Sequence, residues 1–581
     1  MRISILSDRT SRVIHGVALG AVVAAPLVLV PLVADPYQPG RALLIALAGL
    51  AVATAWAAGP SRTATSRIAL AALATSALLV IASAVLSHPA SAVFGVHGRF
   101  QGLVSGAAAL VSFSIGMAAA RRARVVPRVA AAVLMVESVV VAWQLATGGP
   151  PTGTMGNQVL AGGWMAIAVA LVAAGARAER GRVAAILWGA AAIGVLALGI
   201  IGSRGAWIGL LAGGVVLGIS ARPRVRRFLL AGALGIVVAG AVLGGGGSLG
   251  KLDPAALSTG SAAARAAIWM GTAELIADRP LTGVGPGRFL FEFAQYQPAE
   301  HARIELGVRP DQAHSLVLQT AAESGIPAAL AALVFAGAAF LTVARRLRTA
   351  DGIALVACAG LAAWGGQALF GISTVESDGL AFMLAGIALA RTDAPGVPVG
   401  AGARRGASAR VLMAALSLTL ALSSAWYLWA DAAYERGVRA FFDGEMAHAW
   451  ELETTAIALN PLVDTYRVAA SDAALYNGGP RSTALALVER GLILEPASYD
   501  LALAKARLLG SAGGEPDVVI GAYLSAIERY PLGIEVNYEA MDVAVRYGRG
   551  DVARGLAIAM LRAYPDDPVA RAVAEEAGDG Y

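Results

Sequence analysis

The chain has 581 residues, 57% of them hydrophobic and 14% charged, with a mean hydropathy of +0.66. A soluble domain carries roughly 25% charged residues, so a soluble globular protein is excluded and a polytopic membrane protein is implied. The net charge of +6 hides two dissimilar parts: residues 1–430 hold 32 Lys and Arg against 16 Asp and Glu, while residues 431–581 hold 13 against 23.

The basic N-terminus "MRISILSDRTSR" leads into an apolar stretch without a small-residue cleavage site, so it reads as a first membrane helix rather than a removed signal. The single cysteine, Cys358, excludes an intramolecular disulfide framework. Apolar blocks of roughly 16–22 residues, the length that crosses about 30 Å of hydrocarbon, can be drawn thirteen times. They fall near 14–33, 41–59, 67–86, 103–120, 129–147, 159–176, 183–202, 205–220, 228–244, 322–343, 353–371, 379–390 and 411–430. The eighth follows the seventh with almost no loop, and the twelfth is short. The expected fold class is all-α: a polytopic bundle of about 12–13 membrane helices over residues 1–430, interrupted by a large loop at 245–313.

Loop charges set the sidedness, because short cytoplasmic loops collect Lys and Arg. With the N-terminus inside, the N-terminal tail and alternate loops ("SRTATSR", "RRARVVPR", "RAERGR", "ARPRVRR", "ARRLRTADG" and "RTDAPGVPVGAGARRGASAR") hold 23 arginines. The opposite short loops hold only Arg41, Arg99 and Arg204. The loop 245–313 is then extracytoplasmic. It carries Lys251, Arg265, Arg279, Arg288, Arg303 and Arg309, which invite an anionic ligand.

The candidate functional residues gather on that outer side. They are His97 and Arg99 in "GVHGRFQG", Asn157 in "TGTMGNQVLAG", Arg204 in "GSRGAW", Arg265 in "AAARAAIW", "RPLTGVGPGRF" at 279–289, and His314 in "AHSLVLQTAAESGIP". Arg204 has two readings: a snorkelling arginine among lipid phosphates, or part of an anion site. "HARIELGVRPDQ" reads as a solvated connection, and "GVGPG" alone is no more than a turn. Glu376 and Asp378 in "STVESDG" are the nearest approach to an acidic pair and fall short of a metal site.

Beyond residue 430 helical amphipathic patterning replaces the apolar blocks. "ALNP", "ILEP", "ERYP" and "RAYP" end at Pro461, Pro496, Pro531 and Pro565, at intervals of 35, 35 and 34 residues. Ala-rich helices ending in Pro at this period are similar to tetratricopeptide repeats. Residues 431–581 are therefore expected to be a TPR-like helical solenoid outside the membrane, an interaction module with room for a protein partner and no catalytic residue of its own.

The order of "GSRGAW" at a helix end, an outer loop with "AAARAAIW" and "RPLTGVGPGRF", then "AHSLVLQTAAESG" leading into a span resembles the bacterial O-antigen ligase and polymerase superfamily, which includes the O-linked oligosaccharyltransferases. The resemblance is clearest over 150–330, and "GNQVLAG" fits a Gly-Asn element ahead of it; His314-Ser315 stands where His-Asn is common. It implies a glycosyltransferase-like ligase or polymerase in the bacterial cytoplasmic membrane. The implied donor is a glycan on a polyprenyl diphosphate, and the acceptor is a lipid, glycan or protein. It also implies that Arg204 and Arg265 hold the diphosphate and His314 acts as general base, with Arg99, Asn157, Ser203 and Arg288 as substrate-binding residues and Glu323 as support. The lipid bilayer is an expected partner; no metal, cofactor or nucleic acid is expected. A transporter or an assembly scaffold without catalysis is the alternative.

Overall fold

The computed structural model describes residues 8–55, 64–87, 89–221, 261–347, 351–390 and 400–576. These residues form helices, short 3-10 turns and loops, with no strand among them. Of the thirteen expected spans, twelve coincide with helices; the ninth, near 228–244, lies outside the described residues, as does Lys251. The protein is an all-α multi-pass membrane protein. Among the described residues, eight segments are long and apolar enough to cross a bilayer by length and composition, including Gln38–Ala55, Gln158–Ala178, Gly181–Ile201 and Leu316–Arg346. One of the eight, Leu103–Ala146, contains two helices, Leu103–Ala119 and Val126–Ala146, separated by the arginine-bearing turn 120–125.

Gln158–Ala178 is the central helix, with Ala161–Ala176 buried in full and Trp164 wholly enclosed. A helix apolar on every face belongs in the interior. Gly181–Ile201 and Arg204–Ile219 pack against it and are joined by Gly202 and Ser203 alone, which accounts for the near-absence of a loop there. At one end of the bundle the basic loops meet: Arg128 pairs with Glu179 at 2.7 Å, and Arg346 pairs with Asp351 at 2.5 Å. At the other end lie 28–37, 89–102, 147–157 and 261–315.

Gly400–Phe442 runs for 43 residues. At 1.5 Å per residue that is about 65 Å, twice the hydrocarbon thickness, so the helix leaves the membrane and continues into the C-terminal region. Four helical hairpins follow, the first being Met446–Leu459 with Thr465–Leu475 and the last Gly550–Ala563 with Pro568–Glu576. The leading helices end at Leu459, Leu494, Arg529 and Ala563, each two residues before one of the periodic prolines. Proline cannot continue a helix, which is why the period is visible in the sequence.

The hairpins do not stand apart as an independent module. Ala294 joins the core made by Tyr499, Ala502, Tyr523 and Tyr530, and Ala302 joins that of Met541, Met560 and Tyr564. The loop after residue 261 is therefore sandwiched between membrane bundle and hairpins.

Candidate active site

The helix Ser261–Asp278 carries the motif "AAARAAIW". Residues at i, i+3 and i+4 share a helix face, so Arg265, Ile268 and Trp269 point the same way. Ile268 lines a cavity of about 470 Å³ together with His97, Arg99, His301, Glu305, Arg309, Asp311 and His314. The Trp269 indole N–H donates to the Ala313 carbonyl at 2.9 Å. Ala313 in turn donates its N–H to Gln319 Oε1 at 2.7 Å, so the residue before His314 is held from both sides. His314 itself has φ 49°, in the left-handed region. For a residue with a Cβ that costs on the order of 1–3 kcal/mol, and it persists only where neighbours over-determine it.

The His314 Nδ1 is enclosed and has no hydrogen-bond partner, which leaves Nε2 as the nitrogen able to serve the cavity. Burial, and then the positive charge of Arg265, push the imidazole down to about 4; Arg99 and His301 act in the same direction and Asp311 opposes them. At neutral pH the side chain is therefore a neutral imidazole with a free lone pair.

Arg265 is half-buried, and burial followed by the charge of Arg204 lowers its pKa, with Glu305 opposing. Neither guanidinium makes an ion pair or hydrogen bond among the described residues. Arg204 opens the helix Arg204–Ile219, where the positive end of the helix dipole adds to its own charge. The two like charges repel one another, Glu305 offsets part of this at Arg265, and an arriving anion relieves the repulsion further. The structure thus sets Arg265 within electrostatic reach of both Arg204 and His314, residues that lie up to 110 positions apart in sequence.

The other expected ligand residues are placed differently. Arg99 lines the cavity but is ion-paired with Asp311. Asn157 caps Gln158–Ala178, its Oδ1 accepting from the N–H of Val159 at 2.7 Å and Leu160 at 3.4 Å. Ser203 is buried at the N-terminus of Arg204–Ile219 and packs near Gly162. Arg288 is completely enclosed. Its Nε and Nη2 bind Glu495 at 2.8 and 2.6 Å, Nη2 also reaches Glu292 at 3.0 Å, and Nη1 donates to the Val284 carbonyl at 2.5 Å. With these donors so occupied, Arg288 fastens the outer loop to the hairpins. Glu376 faces Arg41 at 2.9 Å, and Asp378 is held by Trp364 and Ser373.

"GVGPG" has more than a turn to perform. Leu316–Arg346 breaks at Gly325, where φ is 85°, and the break leaves the carbonyls of Ala322 and Glu323 without helical partners. The N–H groups of Val284 and Gly285 fill those places at 3.0 and 2.8 Å. A Cβ on Gly283 would sit 2.4 Å from the Glu323 carbonyl carbon, so only glycine permits this docking. The Glu323 side chain accepts from Gln319 at 2.9 Å and so supports the chain of contacts that ends at Ala313.

The stretch expected to be solvated proves to be part of the site. His301 is fully enclosed, with Nδ1 2.9 Å from Gln297 Nε2, and Arg309 is fixed to Asp500. No sequence signal short of the tertiary contacts marks His301; Arg309 belongs to the basic set of the outer loop, and "GVRPD" places it with a stiff proline and an acid within five residues of His314.

Residues 195–333 match the family described as O-antigen ligase. The matched segment contains Arg204, Arg265, Arg288, His314 and Glu323, which supports the O-antigen ligase and polymerase superfamily for this chain. No curated protein matches the sequence.

Proposed function

We propose that the protein transfers a glycan from a polyprenyl-diphosphate carrier to an acceptor hydroxyl at the outer face of the bacterial cytoplasmic membrane. The coarser activity, glycan transfer in envelope glycan biosynthesis, is what the O-antigen ligase match supports. What supports the finer reading is that Arg265, which makes no ion pair or hydrogen bond among the described residues, acts electrostatically on both Arg204 and His314.

Guanidinium forks match phosphate oxygens bidentately, and charge fixed at a departing diphosphate stabilises the transition state more than the ground state. Arg204 and Arg265 hold the diphosphate and take up the negative charge that develops as the anomeric C–O bond breaks. His314 accepts the acceptor's hydroxyl proton as the new glycosidic bond forms, and direct displacement inverts the anomeric centre. A bound diphosphate also offsets the cation that depresses His314, so the base strengthens when the donor is in place.

The test is purified protein in lipid with a polyprenyl-diphosphate glycan and a panel of acceptors. Free polyprenyl diphosphate released in step with glycosylated acceptor is the expected result. Movement of the intact donor across the bilayer without its cleavage would establish a transporter, and binding without either outcome a scaffold.

A further inference from the structure

We infer that the C-terminal hairpins set the position of His314, and that Arg309 is the positioning residue through which they do so. The inference rests on the proposed role of His314 in transfer.

Arg309 leaves the outer loop and enters the hairpins. Its Nη2 reaches both carboxylate oxygens of Asp500, at 2.7 and 2.9 Å. Its guanidinium lies 4.7 Å from the Tyr499 ring and 5.7 Å from that of Tyr530. Those rings meet edge to face at 5.3 Å, and both side chains are buried, so the arginine is seated where two successive hairpins join. A guanidinium held by a carboxylate and an aromatic face has few alternative positions.

Only four residues separate this anchor from His314. Pro310 has its φ set by its ring. Asp311 is paired with Arg99, from the 89–102 segment. Gln312 is buried, and Ala313 is held by Trp269 and Gln319. The segment 309–313 is therefore an irregular strap fixed at one end to the hairpins and at the other to the membrane bundle. The left-handed backbone of His314 lies where the strap turns into Leu316–Arg346. Release of the Arg309 end removes one of the restraints on which that conformation depends.

A loosened strap admits water to His314. The charged and titratable groups acting most on the imidazole are Arg265 from Ser261–Asp278, Asp311 on the strap, Arg99 and His301 from Ala299–Ile304, and His97, Glu305 and Arg309 line the same cavity. Burial is the largest of the influences on this histidine, so hydration moves its titration up from about 4 toward the ordinary 6.5.

The experiment compares the full-length protein with Arg309→Ala, Asp500→Ala and Asp500→Glu, with Asp542→Ala as a control in an exposed pair on another hairpin. Transfer is measured against donor concentration and pH. His314 carbethoxylation by diethyl pyrocarbonate is followed separately by peptide mass spectrometry. Arg309→Ala and Asp500→Ala should lower kcat by about 10–100-fold with donor KM within about twofold, the usual consequence of a base displaced by about 1 Å. The acid limb of kcat/KM should move to higher pH and His314 should be modified faster; Asp500→Glu should recover most of the rate. Unchanged kcat and unchanged modification in both alanine variants would overturn the inference. A rise in donor KM with kcat intact would make Arg309 a donor contact instead. Faster modification in variants of a wild-type protein that transfers no glycan would leave the strap standing and remove the proposed function.

Discussion

Trp269 and Arg265 stand four residues apart on one helix face, and the first holds Ala313 by a 2.9 Å hydrogen bond while the second is the charge that most depresses His314. One helix therefore positions the proposed base and tunes it. Trp269→Phe keeps the ring and deletes the donor. The Ala313 carbonyl then loses its partner, and kcat should fall by roughly 5–10-fold, about the worth of one hydrogen bond, with donor affinity unchanged. Steady-state transfer kinetics with an independent donor-binding measurement check this. A loss confined to donor affinity would place Trp269 against the lipid-linked glycan.

The arginine pair should respond to geometry as well as charge. Arg204→Ala and Arg265→Ala should each reduce transfer by about 10²–10³-fold, the scale of a removed transition-state donor. Lysine at either position should recover little, because a point charge lacks the planar fork. Donor binding measured without acceptor separates the two contributions. Full activity of Arg204→Lys would return Arg204 to the lipid interface as a snorkelling side chain.

The pH profiles should separate free and loaded protein. His314 must be neutral to accept a proton, so the rate falls below its pKa. In the free protein that pKa is pushed down to about 4, and kcat/KM should stay level down to about that pH. Donor binding brings negative charge beside Arg265 and raises the histidine, so kcat should begin to fall at a higher pH than kcat/KM. Coincident acid limbs would mean that the diphosphate does not approach the base. His314→Gln should lower the rate by roughly 10²–10⁴-fold and abolish this limb, since an amide cannot take the proton.

Arg288 offers a direct test of the hairpin fastening. Glu495→Ala leaves a fully enclosed guanidinium with only Glu292 and a carbonyl, and unpairing a buried charge typically costs about 3–5 kcal/mol. The melting temperature of the purified protein should drop clearly. An unchanged melting temperature with weakened donor binding would restore Arg288 as a ligand residue.

How far the sequence reaches is visible in these same residues. The spans were legible because a bilayer demands about 20 apolar residues in a row, and the hairpins because proline ends a helix every 34 or 35 positions. Arg204, Arg265 and His314 were legible as a set, because loop charges put them on one side and their motifs came in a known order. The pairing of Arg288 was not, since its partner Glu495 lies 207 residues away and nothing local points to it. Asn157 precedes its helix as a cap does, yet the glycine beside it drew attention to a ligand role. His301, Arg309 and Asp311 lie in polar sequence that reads as solvated, and only the hairpins folding over them make a site of it.

That covering also decides what truncation should do. Read from sequence, the C-terminal region is an interaction module with no candidate catalytic residue, which predicts residual transfer to small soluble acceptors after its removal. In the structure its removal beyond residue 445 strips Glu495 from buried Arg288 and Asp500 from Arg309. It also uncovers Ala294 and Ala302 from the two hairpin cores that enclose them. Tyr466 is lost as well, a partner of buried Asp431, which holds His97 at 2.7 Å at the cavity wall. The first losses act on the loop that presents Arg265 and His314, and the last on the segment whose Arg99 pairs with Asp311 of that loop. The truncated protein should therefore lose transfer to small soluble acceptors as completely as to native ones, and His314 should become open to diethyl pyrocarbonate. Residual activity confined to small acceptors would show that the membrane bundle orders the loop unaided, and the hairpins would then serve only to recruit the acceptor.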